Sequence, residues 1–437
     1  KWISGFDELD ENSDSDMRKD IFGDPLHSKP VTMDYGNNDI RVFVGTNSGV
    51  LHAFKDNGNT VNESWAFLPG QLLDIHKPLM NKQDGTKLYG VDGPITVFHK
   101  DINRDNIVNG TDKVWLFFGL RRGGTAYYAL DITSPDTPKM LWGAPITPEK
   151  TGFEELGQSW SKPFVTYIRS QKEKPVVIFG AGYDTNKDNI SKTKDSKGRG
   201  LFIVDAESGD LVWSLTPGGP SINTEQASKF KGLHSIAADV SLMDSDYDGF
   251  TDRIYAADTG GNIWRVDMPR DKPNDTENPW THFKFAELAG SKDRDDRRFF
   301  YQPLVARTFF SKVTKTITNN GSYTTRREVP YEAIIIGSGN RASPLEKTVN
   351  NQLYVIRDEN TVTRSYQGDE IPDTIYHSQL MQVKDEPFYQ ATSKQAFYEK
   401  EAELGALKGW KYQLRAGEKS LAKATVVGGI AYFTSFT

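Results

Sequence analysis

The chain has 437 residues, 37% of them hydrophobic, with 53 lysines and arginines against 59 aspartates and glutamates. That length holds a large core, and a net charge of −6 lacks the basic footprint of a nucleic-acid binder. No run of about 18 apolar residues is present to cross a membrane, and the absence of cysteine excludes disulfides and thiolate metal sites without fixing the compartment.

The chain opens at Lys1 without a signal-peptide pattern and closes in an apolar run at residues 425–437. It reads as a fragment of a longer protein. Residues 1–20 form an acidic stretch, with Asp10, Asn12, Asp14 and Asp16 read as flexible rather than liganding. Residues 21–437 read as a single β-rich domain.

One local theme recurs: a β-rich run, a turn containing Gly, and a second β-rich run. It occurs at residues 41–54, 114–131, 176–205, 254–267 and 333–357, and again at 426–436. Each pair reads as a hairpin whose Gly or Asn supplies the turn's positive φ. The units return roughly every 60 to 80 residues, longer than the 40–50 of common propeller blades. Polar inserts at 184–199, 269–298 and 314–327 account for the excess. Radially repeated four-stranded sheets fit this spacing, with six or seven blades. Trp65, Trp115, Trp142, Trp160, Trp213 and Trp264 are read as blade-packing residues. Two helices are expected as decorations. One lies over residues 64–82, interrupted by Pro69 and Pro78, and one over 394–407.

The sharpest motif runs from Asp244 to Asp252. Carboxylates stand at loop positions one, three, five and nine: Asp244, Asp246, Asp248 and Asp252. A Ca²⁺ ion takes six to eight oxygens at about 2.3–2.6 Å, and a loop wound around it must offer one at every second residue. Position seven contributes a backbone carbonyl, so Phe250 is acceptable there. Gly249 at position six permits the sharp turn. Position twelve is Tyr255 and not Glu, so this is a nine-residue loop closed by Asp252 rather than an EF-hand. Unneutralised, these carboxylates would repel one another. Asp101, Asn103, Asp105, Ile107 and Asn109 repeat the alternation with fewer charges, and Asp112 lies close by. They form a second, weaker Ca²⁺ candidate. The run from Asp184 to Asp188 starts similarly but puts Lys192 at position nine, and it reads as a loop.

Catalytic motifs are missing. The 7 histidines are scattered without HExxH spacing, and neither a G-x-S-x-G elbow nor a P-loop occurs. Leu120-Arg121-Arg122-Gly123-Gly124 reads as a hairpin turn before an anion site.

Four stretches carry a family resemblance. They are Gly23-Asp24-Pro25-Leu26-His27-Ser28-Lys29-Pro30, then Val44-Gly45-Thr46-Asn47-Ser48-Gly49-Val50-Leu51-His52-Ala53-Phe54, then Gly119-Leu120-Arg121-Arg122-Gly123-Gly124 leading to Tyr128-Ala129-Leu130-Asp131. The fourth is the acidic loop followed by Tyr255-Ala256-Ala257-Asp258-Thr259-Gly260-Gly261-Asn262-Ile263-Trp264-Arg265-Val266-Asp267. In this order they resemble the C-terminal domain of the PilC/PilY family, the type IV pilus-associated adhesins of Gram-negative bacteria. The resemblance is closest to the PilC adhesins of the Neisseria–Kingella type. It implies an all-β, modified seven-bladed propeller with long loop inserts and one or two short helices. It implies Ca²⁺ on Asp244, Asp246, Asp248, the Phe250 carbonyl and Asp252. It further implies a place on the bacterial surface, outer membrane or pilus tip, with pilus components and host cells as partners. The family's roles are pilus biogenesis by opposing retraction, twitching motility and host-cell adherence. The expected function is therefore non-enzymatic. Two alternatives stand beside it: a quinoprotein-type dehydrogenase on a related propeller, and a structural interaction propeller with calcium as a static staple.

Overall fold

Central strands buried on both faces decide where continuous apolar runs appear. Val176–Gly180, Leu201–Asp205, Arg253–Ala257 and Asn262–Asp267 are buried at every residue. Such strands read as unbroken runs rather than alternations. The computed structural model describes residues 2–7, 17–18, 21–81, 86–189, 192–219, 230–319 and 321–437. Asp10, Asn12, Asp14 and Asp16 lie outside these residues.

Five sheets follow one another along the chain, each built on four antiparallel strands; these are consecutive in the first four sheets, and in the fifth two short strands intervene before the last. The first holds Val31–Asp34, Ile40–Gly45, Leu51–Asp56 and Val61–Phe67. The second holds Ile95–Lys100, Lys113–Gly119, Tyr127–Asp131 and Lys139–Met140. Phe164–Thr166, Val176–Gly180, Leu201–Asp205 and Leu211–Leu215 make the third. The fourth has Ser241–Met243, Arg253–Ala257, Asn262–Asp267 and Thr281–Glu287. Leu304–Thr318, Gly321–Gly337, Gln352–Asp358 and Gly409–Gln413 make the fifth. Short strands then extend two of them in parallel. Ile375–Tyr376 joins the outer strand of the fourth, and Met381–Gln382 joins that of the fifth.

Successive sheets share apolar layers. Phe118 and Leu51 meet between the first and second sheets. Phe117 and Phe179 meet between the second and third. Ile203 and Ile254 meet between the third and fourth, and Tyr255 and Ile334 between the fourth and fifth. The first and fifth ends touch where Arg341 donates to Nε2 of His27 at 3.1 Å. This is the radial arrangement of a β-propeller. Six or seven blades are expected from the sequence; the described residues hold five full sheets and two two-stranded ladders. The ladders pair Lys419–Ser420 with Ser435–Phe436 and Thr425–Val427 with Ile430–Tyr432.

Three local expectations are corrected. Residues 64–67 are not helical but end the strand Val61–Phe67, which sets Trp65 and Phe67 against the first core layer. Pro69 holds extended backbone, so the helical turns begin after it, as Gly70–Ile75 and His76–Met80. Pro78 falls in the first turn of the latter, where its missing N–H costs nothing. The insert at 269–298 contains the strand Thr281–Glu287. The insert at 314–327 is the outer half of a long hairpin, paired from Val313 with Arg326 to Thr318 with Gly321. Its polar residues gave no period-two apolar signal, because a two-stranded arm has little core to face. The other helix spans Lys394–Ala406 as expected, with Ser393 Oγ accepting from the Ala396 N–H at 3.1 Å.

His282, in the outer strand of the fourth sheet, lies against the Phe230 ring at 5.5 Å, and its buried Nδ1 has no hydrogen-bond partner. Burial lowers its pKa to about 4. The unfolded chain takes up this proton near pH 6.5, so the group withdraws stability as pH falls from there towards 4. His282→Phe is expected to gain about 1–2 kcal/mol relative to the parent over that window. Urea melts of both proteins at pH 7 and pH 4.5 check this; an unchanged difference between the two pH values would refute it.

Candidate metal centre

The acidic loop joins Ser241–Met243 to Arg253–Ala257, the first and second strands of the fourth sheet. Its winding is set by two left-handed residues, Tyr247 at φ 61° and Gly249 at φ 92°. Both Asp244 oxygens accept backbone N–H groups, from Asp248 at 3.2 Å and Gly249 at 2.8 Å. Asp248 Oδ1 accepts from the Phe250 N–H at 3.0 Å. The loop therefore curls around its own carboxylates. One oxygen from each of Asp244, Asp246 and Asp248 lies within 4.8 Å of the others. An all-oxygen set of this kind suits a hard cation such as Ca²⁺.

Asp252 is placed differently. Its oxygens accept from Ser245, from the N–H at 3.0 Å and the hydroxyl at 2.5 Å. It closes the base of the loop and stands apart from the three-carboxylate group. Burial raises its pKa against these bonds. Phe250 contributes its N–H to the winding.

A cation already stands at the loop. Arg169, between the first two strands of the third sheet, reaches Asp248 through Nε at 2.9 Å and Asp246 through a terminal nitrogen at 2.5 Å. Burial would raise the Asp246 pKa, and the bond and charge of Arg169 overcome it and hold the group low. Neither local spacing nor motif points to Arg169, because the pairing spans 79 positions. A cavity of about 470 Å³ adjoins the loop, lined by Arg169, Asp246, Asp252, Arg270 and Thr363 among others.

The weaker candidate occupies the equivalent connection of the second sheet, between Ile95–Lys100 and Lys113–Gly119. Its winding is the same. Arg104 and Asn106 take φ 61° and 60°. Asp101 accepts from the Asp105 and Asn106 N–H groups at 3.3 and 2.7 Å, and Asp105 accepts from the Ile107 N–H at 2.8 Å. The side chains differ. Amides of Asn103 and Asn109 sit on Asp105 Oδ2 at 2.9 and 2.8 Å. The titratable group that forms here is His99, Asp101 and Asp112 instead. Asp112 accepts from the Ile102 N–H at 2.9 Å, as Asp252 does from Ser245. Asp112 is the twelfth residue counted from Asp101, a position that a nine-residue reading passes over. The run from Asp184 to Asp188 is a short 3₁₀ turn capped by Asp184, in keeping with its reading as a loop.

Behind the acidic loop lies a buried ionic network. Arg253 and Arg265 are fully buried. Arg265 grips Asp267 with two bonds of 2.8 and 2.7 Å and reaches Asp358 at 2.6 Å. Arg253 pairs with Glu332 and bonds Thr363 Oγ1 at 3.0 Å. The Tyr255 hydroxyl lies 2.9 Å from Asp358 and 3.1 Å from Glu332. Burial pulls the Asp267 and Glu332 carboxyls upward, against the opposing pull of Arg265 and Arg253. The loop is tied to this network through Ser245, whose hydroxyl is 2.9 Å from Thr363 and whose carbonyl accepts from Arg307.

Fold and loop together define a β-propeller that carries an acidic, oxygen-rich cluster between two strands of one blade. Residues 32–392 match the family described as the PilY1 beta-propeller domain, so the chain belongs to that family. A type IV pilus biogenesis factor PilY1 of Pseudomonas aeruginosa strain PAO1 is 28% identical over 386 residues, covering 81% of this chain and 30% of the relative. A PilY1 homolog of Xylella fastidiosa is 29% identical over 239 residues, covering 53% of this chain and 14% of the relative. The chain thus spans less than a third of the length of these curated relatives. The crystal structure of the Pseudomonas aeruginosa PilY1 C-terminal domain superposes with a TM-score of 0.56 at 20% identity, covering 92% of this chain and 77% of that one.

Removing one partner of the buried network leaves a desolvated charge. Glu332→Ala is expected to cost about 3–5 kcal/mol of stability, and Arg253→Met combined with Glu332→Leu to recover most of it. Denaturant melts of the three proteins check this. A double variant no more stable than Glu332→Ala would refute it.

Proposed function

We propose that this chain is the calcium-binding propeller of a type IV pilus biogenesis factor and that it has no catalytic role. Membership of the PilY1 propeller family supports the pilus context. The observation that carries the calcium reading is the convergence of Asp244, Asp246 and Asp248 in a loop wound by its own backbone. We extend the reading to the PilC adhesins of the Neisseria–Kingella type on the strength of the sequence stretches described above. On this reading the domain stands at the bacterial surface or pilus tip. It opposes pilus retraction, supports twitching motility and contributes to host-cell adhesion, with pilus components and host surface as partners.

Calcium then acts through Arg169. The guanidinium occupies the same carboxylates that would hold the ion, so ion binding releases Arg169 from Asp246 and Asp248. That release uncovers a positive group at the rim of the neighbouring cavity. An ordered loop with a freed arginine and a self-paired loop are two states that ligand binding separates.

Calorimetric Ca²⁺ titration of the metal-stripped chain tests this. Asp246→Ala is expected to abolish the binding heat and Asp252→Ala to weaken it. Asp105→Ala is expected to leave it intact, unless a second, distinct event disappears and marks a second site at Asp101, Asn103, Asp105, Ile107 and Asn109. No heat from the parent chain would overturn the calcium reading. Arg169→Gln removes the competing cation and is expected to tighten binding by about three- to tenfold. Unchanged affinity in that variant would overturn the competition.

A further inference from the structure

At the end of the fourth sheet opposite the acidic loop, the turn between Arg253–Ala257 and Asn262–Asp267 borders a second cavity, of about 420 Å³. Its walls carry three lysines, Lys192, Lys231 and Lys284, against one carboxylate, Glu287. His234 forms part of the floor. Its ring packs closely against Gly260, where an added Cβ would stand 1.9 Å from the ring. Lys187 is fully buried behind it, with Nζ 3.2 Å from His234 Nδ1. An ammonium only donates, so Nδ1 accepts and the neutral imidazole carries its hydrogen on Nε2. Burial and the Lys187 charge lower the His234 pKa to about 4, which keeps that donor neutral at physiological pH. Trp264, only 7% exposed, is held from behind by its Nε1 bond to Asp258 at 2.9 Å.

The donor set is therefore rich in positive charge but not purely so. Lys284 pairs with Glu287 at 2.7 Å, which leaves a carboxylate oxygen line on one wall. Ser291 adds a hydroxyl. A bare polyanion would meet Glu287 at a cost. A ligand with one carboxylate and several hydroxyls satisfies both kinds of wall: the carboxylate by the lysines, the hydroxyls by Glu287, Ser291 and His234. The cavity falls within the size range of small-molecule sites.

We propose that this cavity binds a carboxylate-bearing sugar residue, a uronic or other sugar acid, at a site independent of the acidic loop. The floor of His234 on Gly260 is preformed, so little ordering accompanies binding.

The test is NMR titration of the full chain at low ionic strength with D-glucuronate, D-glucose, acetate, inorganic phosphate and triglutamate. Glucuronate is expected to bind saturably, and glucose and acetate at least tenfold more weakly. Lys231→Gln, at an exposed position, and Lys284→Gln, at a half-buried one, are each expected to weaken glucuronate about fivefold or more, the former while leaving the melting temperature unchanged. Asp246→Ala is expected to leave glucuronate binding as it was, which separates this site from the calcium reading. Phosphate or acetate binding as tightly as glucuronate would reduce the cavity to a general anion trap and overturn the proposal. Triglutamate binding more tightly would reassign it to acidic peptides and likewise overturn it, as would unaltered glucuronate affinity in both lysine variants.

Discussion

Two guanidiniums placed where water cannot reach them hold the fourth and fifth sheets of this molecule together. Arg265 and Arg253 sit on adjacent central strands of the fourth sheet, and their carboxylates come from both the fourth and fifth sheets. Desolvating these groups costs several kcal/mol each, and only close geometry with every donor engaged repays it. Glu332 and Asp358 come from the fifth sheet and meet guanidiniums of the fourth, so the two blades are fixed in register by charge as well as by the apolar layer of Tyr255 and Ile334. The acidic loop inherits that fixity. Its base is tied by Ser245 to Thr363 and Arg307, both of which also touch the network.

The parts of the fold legible in the sequence are those where burial on both faces leaves a continuous apolar run. The hairpins at residues 41–54, 114–131, 176–205 and 254–267 were readable for that reason. Outer strands such as Val31–Asp34 and Lys139–Met140 are half-exposed and short, and they leave no such mark. The helical reading of residues 64–82 failed only at its start, because strand residues Trp65 and Phe67 happen to continue into the apolar spacing of the helical turns over residues 70–80. At the site, local spacing identifies Asp244, Asp246 and Asp248, since a loop that coils on itself needs its oxygens at alternate residues. It does not reveal that Asp252 is turned to Ser245, nor that Arg169 stands among the carboxylates. Those depend on which blade lies alongside, and that pairing is a property of the ring and not of the loop.

The second-sheet and fourth-sheet loops show how one backbone solution serves two chemistries. Both occupy the same connection of their sheets, with left-handed residues at matching positions and matching N–H bonds to the first carboxylate. In one, asparagine amides satisfy the middle carboxylate from within. In the other, three carboxylates remain and the neutralising charge comes from the next blade. The same winding thus recurs in both loops, and what differs between them is side-chain charge.

The strap of chain between the fifth sheet's third and fourth strands has a mechanical consequence. It lays Ile375–Tyr376 along the outer edge of the fourth sheet and Met381–Gln382 along that of the fifth before returning as Gly409–Gln413. The first three sheets lack such a stitch among the described residues. Tension applied along the chain would therefore peel those sheets one at a time, as separate small yields. The last two, sewn edge to edge, would share the load and give way together, and the acidic loop sits in that stitched portion of the ring.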